Sequence, residues 1–341
     1  MKRLKTKIFA LLCAVFLCMG SGCTVLGTEP VYAGADLHIV TTVFPPYDFA
    51  RSLTAGNADV CVQQLLQPGT ESHTFDPTPA DILAVQNCDI FIYTGGESDA
   101  WVDTLLSAVD NDSMHILRMM DCTEVVAEET VEGMTHRHDH DHNETCEEDH
   151  DHDHAETEDD DHAHEVEYDE HVWTDPDNAA LITETILDVL CEADPDNASL
   201  YRANGDGYLE QLAALDAYFE EITAGASRDT VVFGDRFPFR YLCDAYGLSY
   251  RAAFPGCAAE SEPSAATMIY LIEKIRAEDI PVIFTIEMSN GKIASAIAEE
   301  TGAEILTMHS CHNRIADEAA ADVTYLDLMY ANAEALKRAL Q

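Results

Sequence analysis

The chain has 341 residues, with 18 Lys and Arg against 64 Asp and Glu and a formal net charge of −46 at neutral pH. So acidic a chain excludes nucleic acid as a partner and raises the local concentration of cations. The length suffices for two modest domains or one large one.

Lys2, Arg3, Lys5 and Lys7 precede an apolar run from Ile8 to Met19. Gly20-Ser21-Gly22-Cys23 follows and reads as a lipoprotein cleavage box, so residues 1–22 are expected to be a signal peptide and Cys23 the lipidated N-terminus. Val31-Tyr32-Ala33 offers a competing ordinary cleavage site. Either reading exports the protein, and the first anchors it to the outer face of the cytoplasmic membrane. The run is short for a transmembrane helix, and no later segment is long and apolar enough to be one. Eight cysteines lie beyond Cys13, Cys18 and Cys23, in a compartment that permits disulfides, and no C-x-x-C occurs.

Short β-branched runs then alternate with longer helical patterns, which predicts α/β architecture with parallel sheets. Strands are expected at His38–Phe44, Asp59–Leu66, Asp89–Thr94 and His115–Met119. A run of alternating histidines and acids, His136 to His171, interrupts the pattern with ten of the fifteen histidines and seventeen acids. With almost no apolar residues it has no core to form, so residues 132–170 are expected to be a disordered loop. Its His136, His138, His140, His142, His150, His152, His154, His162 and His164 offer imidazoles to a divalent transition metal as an auxiliary, weak collector.

Asp196 to Ala224 places Leu200, Leu209, Leu212, Leu215, Phe219 and Ile222 near helical spacing, and one long helix is predicted although Gly205 and Gly207 weaken its start. Four more strands are expected at Thr230–Phe233, Ser249–Phe254, Pro281–Glu287 and Glu304–Met308. Two sets of four imply two βα lobes, each with a parallel four-stranded sheet: residues 36–195 and 226–341, joined by a rigid helix over 196–225. His73, His171, Asp235 and His309 fall just after strands, and Glu287 closes the seventh. Open parallel sheets bind ligands outside the carboxyl ends of their strands, so two facing lobes would gather these side chains in one cleft. Trp101 and Trp173 read as packing residues, and Phe44 and Tyr47 as cleft wall.

The stretches VTTVFPPYDFA, QLLQPGTESHTFDPTPADI, DIFIYTGGESDAW, EHVWTDPDNA, YLCDAYGL, ESEPSA, IASAIAEETGA and YLDLMYANAEALKRAL recur in order over nearly the whole mature chain. They resemble the solute-binding proteins of zinc and manganese ABC transporters, and the acidic His-rich loop before HVW resembles that of zinc-type members. The resemblance implies two βα lobes joined by a rigid helix with the metal between them, a membrane permease as partner, and a monomer. It places the first family ligand on His73 and the second on His171. The third, a His or Glu in relatives, falls on Arg236, whose guanidinium stays protonated and does not ligate a cation. Two alternatives stay open there: Asp235 substitutes, or Arg236 pairs with a ligand carboxylate. The fourth, an acid in manganese-type relatives, falls on His309.

A set of His73, His171, His309 and one carboxylate, Glu287 or Asp235, suits tetrahedral Zn2+ better than Mn2+. Cys311 and His312 are further candidates, although Cys311 could instead pair with Cys257, and His312 is expected to lie farther along the loop. The expected function is capture of extracellular zinc and delivery to the permease, with manganese transport, a surface metal buffer or an adhesin as alternatives. Catalysis is not expected: H-E-x-x-H, G-x-S-x-G and P-loop motifs are absent from the sequence.

Overall fold

A computed structural model describes residues 34–134, 166–256 and 263–341. The signal segment, Cys23, Cys257 and the histidines from His136 to His164 lie outside the described residues. The chain from Ala35 to Gln341 forms one unit.

Eight parallel strands make two four-stranded sheets. The first contains β1 (Leu37–Thr41), β2 (Val60–Gln64), β3 (Ile90–Tyr93) and β4 (His115–Arg118), in the order β2-β1-β3-β4. The second contains β5 (Thr230–Phe237), β6 (Ser249–Pro255), β7 (Val282–Thr285) and β8 (Glu304–Thr307), in the order β6-β5-β7-β8. Every strand overlaps a segment predicted from sequence, although β5 runs past Phe233 to Phe237 and so contains Asp235, expected after it; the α/β class with two lobes stands. Central β1 and β7 are buried along their whole length. Parallel strands covered by helices on both faces read as continuous apolar runs, which is why the sequence signal was clear.

The first lobe carries α1 (Phe44–Leu53), α2 (Pro79–Gln86), α3 (Trp101–Ala108) and α4 (Pro176–Ala193), followed by the linking helix α5 (Ala198–Ala224). The second lobe carries α6 (Arg240–Ala245), α7 (Ala265–Glu278), α8 (Lys292–Thr301), α9 (Ala316–Ala320) and α10 (Tyr325–Leu340). No helix among the described residues is long and apolar enough to cross a membrane. Gly205 does not break α5; a Cβ there would stand 2.6 Å from Leu187 Cδ2, so the glycine lets α4 pack closely on the linker. Asp48 on α1 accepts from Tyr325 N (3.0 Å) and lies 3.5 Å from the Tyr208 hydroxyl, tying the first lobe to α10 and α5. In the second sheet Phe233 packs on Phe237, Phe239 and Phe284 with ring centroids 5.1–5.2 Å apart. Each such buried ring stabilises the fold by about 1.5–3 kcal/mol.

The borders expected for the His-rich loop differ from the structure. Met134 is buried, Ala127 bridges Tyr168, and Asp169 and Glu170 are buried at 2% and 0% exposure. Residues 166–170 are therefore part of the folded unit. The backbone bridge and the apolar cover over the acids outweigh the polar composition.

Asp99 supplies a pH-dependent element beside the loop after β3. Its Oδ2 accepts from Thr94 N (2.6 Å), Gly95 N (3.2 Å) and Thr42 Oγ1 (3.4 Å). Burial, reinforced by the charge of Glu170, pushes its carboxyl from 3.8 up to about 6. Between those two values the folded state holds a proton that the unfolded state has lost. Stability therefore falls as pH rises through that window, by about 3 kcal/mol once both states are ionised. Asp99→Asn keeps an acceptor oxygen for the three donors and removes the charge. It is expected to raise Tm at pH 7 and to leave it unchanged at pH 4; a uniform loss of stability at both would show that the carboxylate itself is required.

Candidate metal centre

The carboxyl ends of the strands converge on a cavity of about 20 Å3, room for one water-sized particle. Glu71 and Ser72 reach it from the turn after β2 and His171 from the chain returning after β4. Arg236, Glu287 and Met288 come from the ends of β5 and β7, and Ser310, His312 and Asn313 from the loop after β8. The cavity lies after the strands and is lined by residues of both lobes, where the sequence reading expected the cleft.

His171 is 1% exposed, and its Nδ1 lies 2.9 Å from Asp169 Oδ1, which also accepts His171 N at 2.8 Å. That bond fixes the ring and leaves Nε2 for a cation. Burial lowers the affinity of this ring for a proton, but Asp169, by charge and hydrogen bond, outweighs it together with Glu170 and Glu128. The result is a pKa above the usual imidazole value. His171 and His312 stand edge to face with centroids 5.0 Å apart, and Trp173 packs against both at 5.7 and 4.9 Å. Trp173 is fully buried and donates from Nε1 to Ser310 O at 2.7 Å, so it packs and also fixes the loop that carries His312.

The third member is Glu170. One ligand atom from each of Glu170, His171 and His312 lies within 4.8 Å of the others, and all three residues are buried. His312 Nε2 is 3.8 Å from Glu170 Oε1. Tetrahedral zinc, with bonds near 2.0–2.1 Å, sets ligands about 3.3 Å apart, so a small contraction of this triad would close on an ion. Ser98 N (3.1 Å) and Ser98 Oγ hold the Glu170 carboxylate. Gly96 makes room for it, because a Cβ at that position would collide with the Glu170 side chain. Glu170 was missed in the sequence; its one signal is its place next to His171 in EHVW, and it stands among seventeen acids in one run.

His309 and His312 stand in surroundings the reverse of those expected: His312 lies in the cluster with His171, and His309 lies outside it. His309 Nδ1 accepts from Cys311 N (2.9 Å), its Nε2 faces Glu318 (3.3 Å), and its backbone N–H and C=O are both held by Asn332 on α10. The ring lies between Glu318 and Glu287, whose Oε2 is 3.9 Å from Nδ1, and does not line the cavity. Cys311 adopts a left-handed φ of 62°, which turns the chain and presents His312 to His171. The Cys311 thiol is fully buried, its pKa driven up by burial, and it does not line the cavity. Its expected partner Cys257 lies outside the described residues.

Glu287 lines the cavity and, like Glu170, gives both oxygens to a serine, Oε2 accepting Ser310 N at 2.7 Å and Oε1 accepting Ser310 Oγ, but it lies outside the cluster of Glu170, His171 and His312. It holds the loop. Asp235 Oδ1 accepts Arg236 N at 3.0 Å, and the residue does not line the cavity. Arg236 reaches across to Glu71 with Nη2–Oε1 at 3.1 Å, a carboxylate that the sequence reading did not place among the ligands. His73 sits in the 3-10 turn Ser72–Thr74, directly after the lining residues Glu71 and Ser72; its side chain lies outside the described part of the structure. Phe44 and Tyr47 do not line the cavity; Arg314 instead stacks over both rings, at 4.4 and 5.7 Å.

The loop carrying His312 belongs to the second lobe by sequence but is bound into the first. Phe44 N donates to His312 O (3.0 Å), Gly69 N to Arg314 O (2.7 Å), and Asn313 Nδ2 to Gln67 O (2.6 Å) and Thr70 O (3.0 Å). His312 is therefore fixed relative to His171 across the lobe boundary.

Residues 39–339 match the family described as ZnuA, the periplasmic zinc-uptake complex component A. The chain belongs to this family. It is 29% identical over 332 residues to the zinc-binding lipoprotein AdcA of Streptococcus pneumoniae, covering 97% of this chain and 60% of the relative. It thus spans about three-fifths of the length of that longer relative. It is 28% identical over 307 residues to the high-affinity zinc uptake system protein ZnuA of Bacillus subtilis, covering 90% of this chain and 88% of that one. The Zn(II)-bound ZnuA-like domain of S. pneumoniae AdcA superposes with a TM-score of 0.68 at 24% identity, covering 89% of this chain and 98% of that domain. The two-lobed fold of this ZnuA-family chain is thus shared with solved structures. The resemblance to zinc-type solute-binding proteins stands.

Proposed function

We propose that this chain captures zinc outside the cytoplasm and passes it to an ABC transporter permease, holding the ion with His171, His312, Glu170 and His73. The observation that carries the reading is the buried triad of Glu170, His171 and His312 in a ZnuA-family fold. Two neutral imidazoles and a carboxylate are a common zinc donor set, and a fourth ligand from the His73 turn closes the shell. A closed shell favours binding over chemistry, since a hydrolytic metal site keeps an open position for water. The lipoprotein name of the streptococcal relative supports anchoring at Cys23, and a monomer suffices because one chain supplies the whole triad.

The His-rich segment acts as an auxiliary collector, since a low-complexity chain does not preorganise a tetrahedral shell. Chelator competition on the chain lacking residues 135–165 is expected to show one tight zinc equivalent retained and several weak ones lost. Loss of the tight site with the weak ones intact would reverse this division of labour. Manganese bound as tightly as zinc by the intact chain would favour a manganese carrier.

A further inference from the structure

Building on the metal-capture reading, we propose that the ion pair between Arg236 and Glu71 is a latch at the cavity mouth that sets the rate at which zinc is released. Arg236 comes from the end of β5 in the second lobe, beyond the register shift between Phe233 and Arg236. Glu71 comes from the first lobe and directly precedes the 3-10 turn that carries His73. Their side chains, 19% and 36% exposed, line the same cavity as the buried His171 and His312. The pair is therefore the outer edge of the site and the triad its floor.

The position fits an exchange gate. Asn313 and the backbone of His312 are already bonded to the first lobe, so the triad does not have to be assembled by lobe movement. Among the described residues that line the cavity, the salt bridge joining the two lobes is this partly exposed one. Partly exposed pairs open more readily than the buried network behind them, so this edge opens first. A guanidinium is a permanent cation that does not coordinate zinc, so it guards the mouth without competing for the ion. Charges at the rim of a site act mainly on rates, whereas the groups inside it set affinity.

The test is stopped-flow release of zinc from the full chain, loaded with zinc sulfate, into an excess of fluorescent chelator. Arg236→Met and Glu71→Gln are each expected to speed release about tenfold with equilibrium affinity within about threefold of wild type. The double variant should be no faster than either single, because one interaction is removed in all three. Arg236→Lys, which keeps the charge, should stay within about threefold of the wild-type rate. Wild-type release from Arg236→Met, or additive effects in the double variant, would overturn the latch. Loss of affinity by orders of magnitude in Glu71→Gln alone would make Glu71 a ligand and also overturn it. A wild-type chain that binds no zinc would sink the metal-capture reading itself, a failure distinct from unchanged release by a chain that loads normally.

Discussion

His312→Ala is expected to lose tight zinc binding by on the order of 10³-fold, while His309→Ala loses about 10- to 100-fold. The first figure follows from sharing the binding free energy of a four-ligand zinc site among its ligands, about 3–4 kcal/mol each. His312 is buried, with its ring 5.0 Å from that of His171 and its Nε2 3.8 Å from Glu170, so nothing nearby replaces it. His309 acts at one remove. Its Nδ1 accepts the Cys311 N–H and its backbone is clamped by Asn332, so its loss loosens the turn that presents His312. Supporting groups of that kind typically contribute one to two orders of magnitude. Chelator competition on both variants separates the roles. Equal, thousand-fold losses would return His309 to the coordination shell, and near-wild-type affinity in His312→Ala would remove His312 from it.

Glu170→Gln is expected to weaken zinc binding about 100-fold, and Gly96→Ala to reproduce much of that loss. A neutral amide oxygen is a poorer zinc donor than a carboxylate, although it still accepts from Ser98. The Gly96 variant adds nothing chemical; its Cβ would occupy the space of the Glu170 side chain and push the carboxylate off the triad. Agreement between a change of chemistry and a change of position would identify Glu170 as a ligand. Unchanged affinity in Glu170→Gln, with lowered Tm in Gly96→Ala, would reduce Glu170 to an anchor for the turn at Ser98.

Both predictions differ from what the sequence suggested, and the difference has a physical source. Strand segments, the linking helix and the gathering of functional residues after strands were legible because each depends on local periodicity and on a topology with few alternatives. His171 was legible for the same reason, in the HVWTDP junction where the folded pattern resumes. Which of His309 and His312 faces the cavity depends on the left-handed turn at Cys311, and that turn is stabilised by Asn332 and by Trp173, 137 positions before Ser310. No window of sequence contains those partners.

Glu170 was hidden for a related reason. In sequence it is one acid of seventeen in a tract that promises disorder. In the fold, Ser98 and Gly96, more than seventy residues earlier, take it out of solvent and set it beside His312. The sequence by itself thus determined the two sheets, their order of appearance, the stiff connector and the end of the sheets at which an ion would sit. Tertiary structure alone decided which side chains meet there. Direction at a loop is set by hydrogen bonds from distant segments, whereas strands and helices are set by the repeating backbone and the apolar pattern along it.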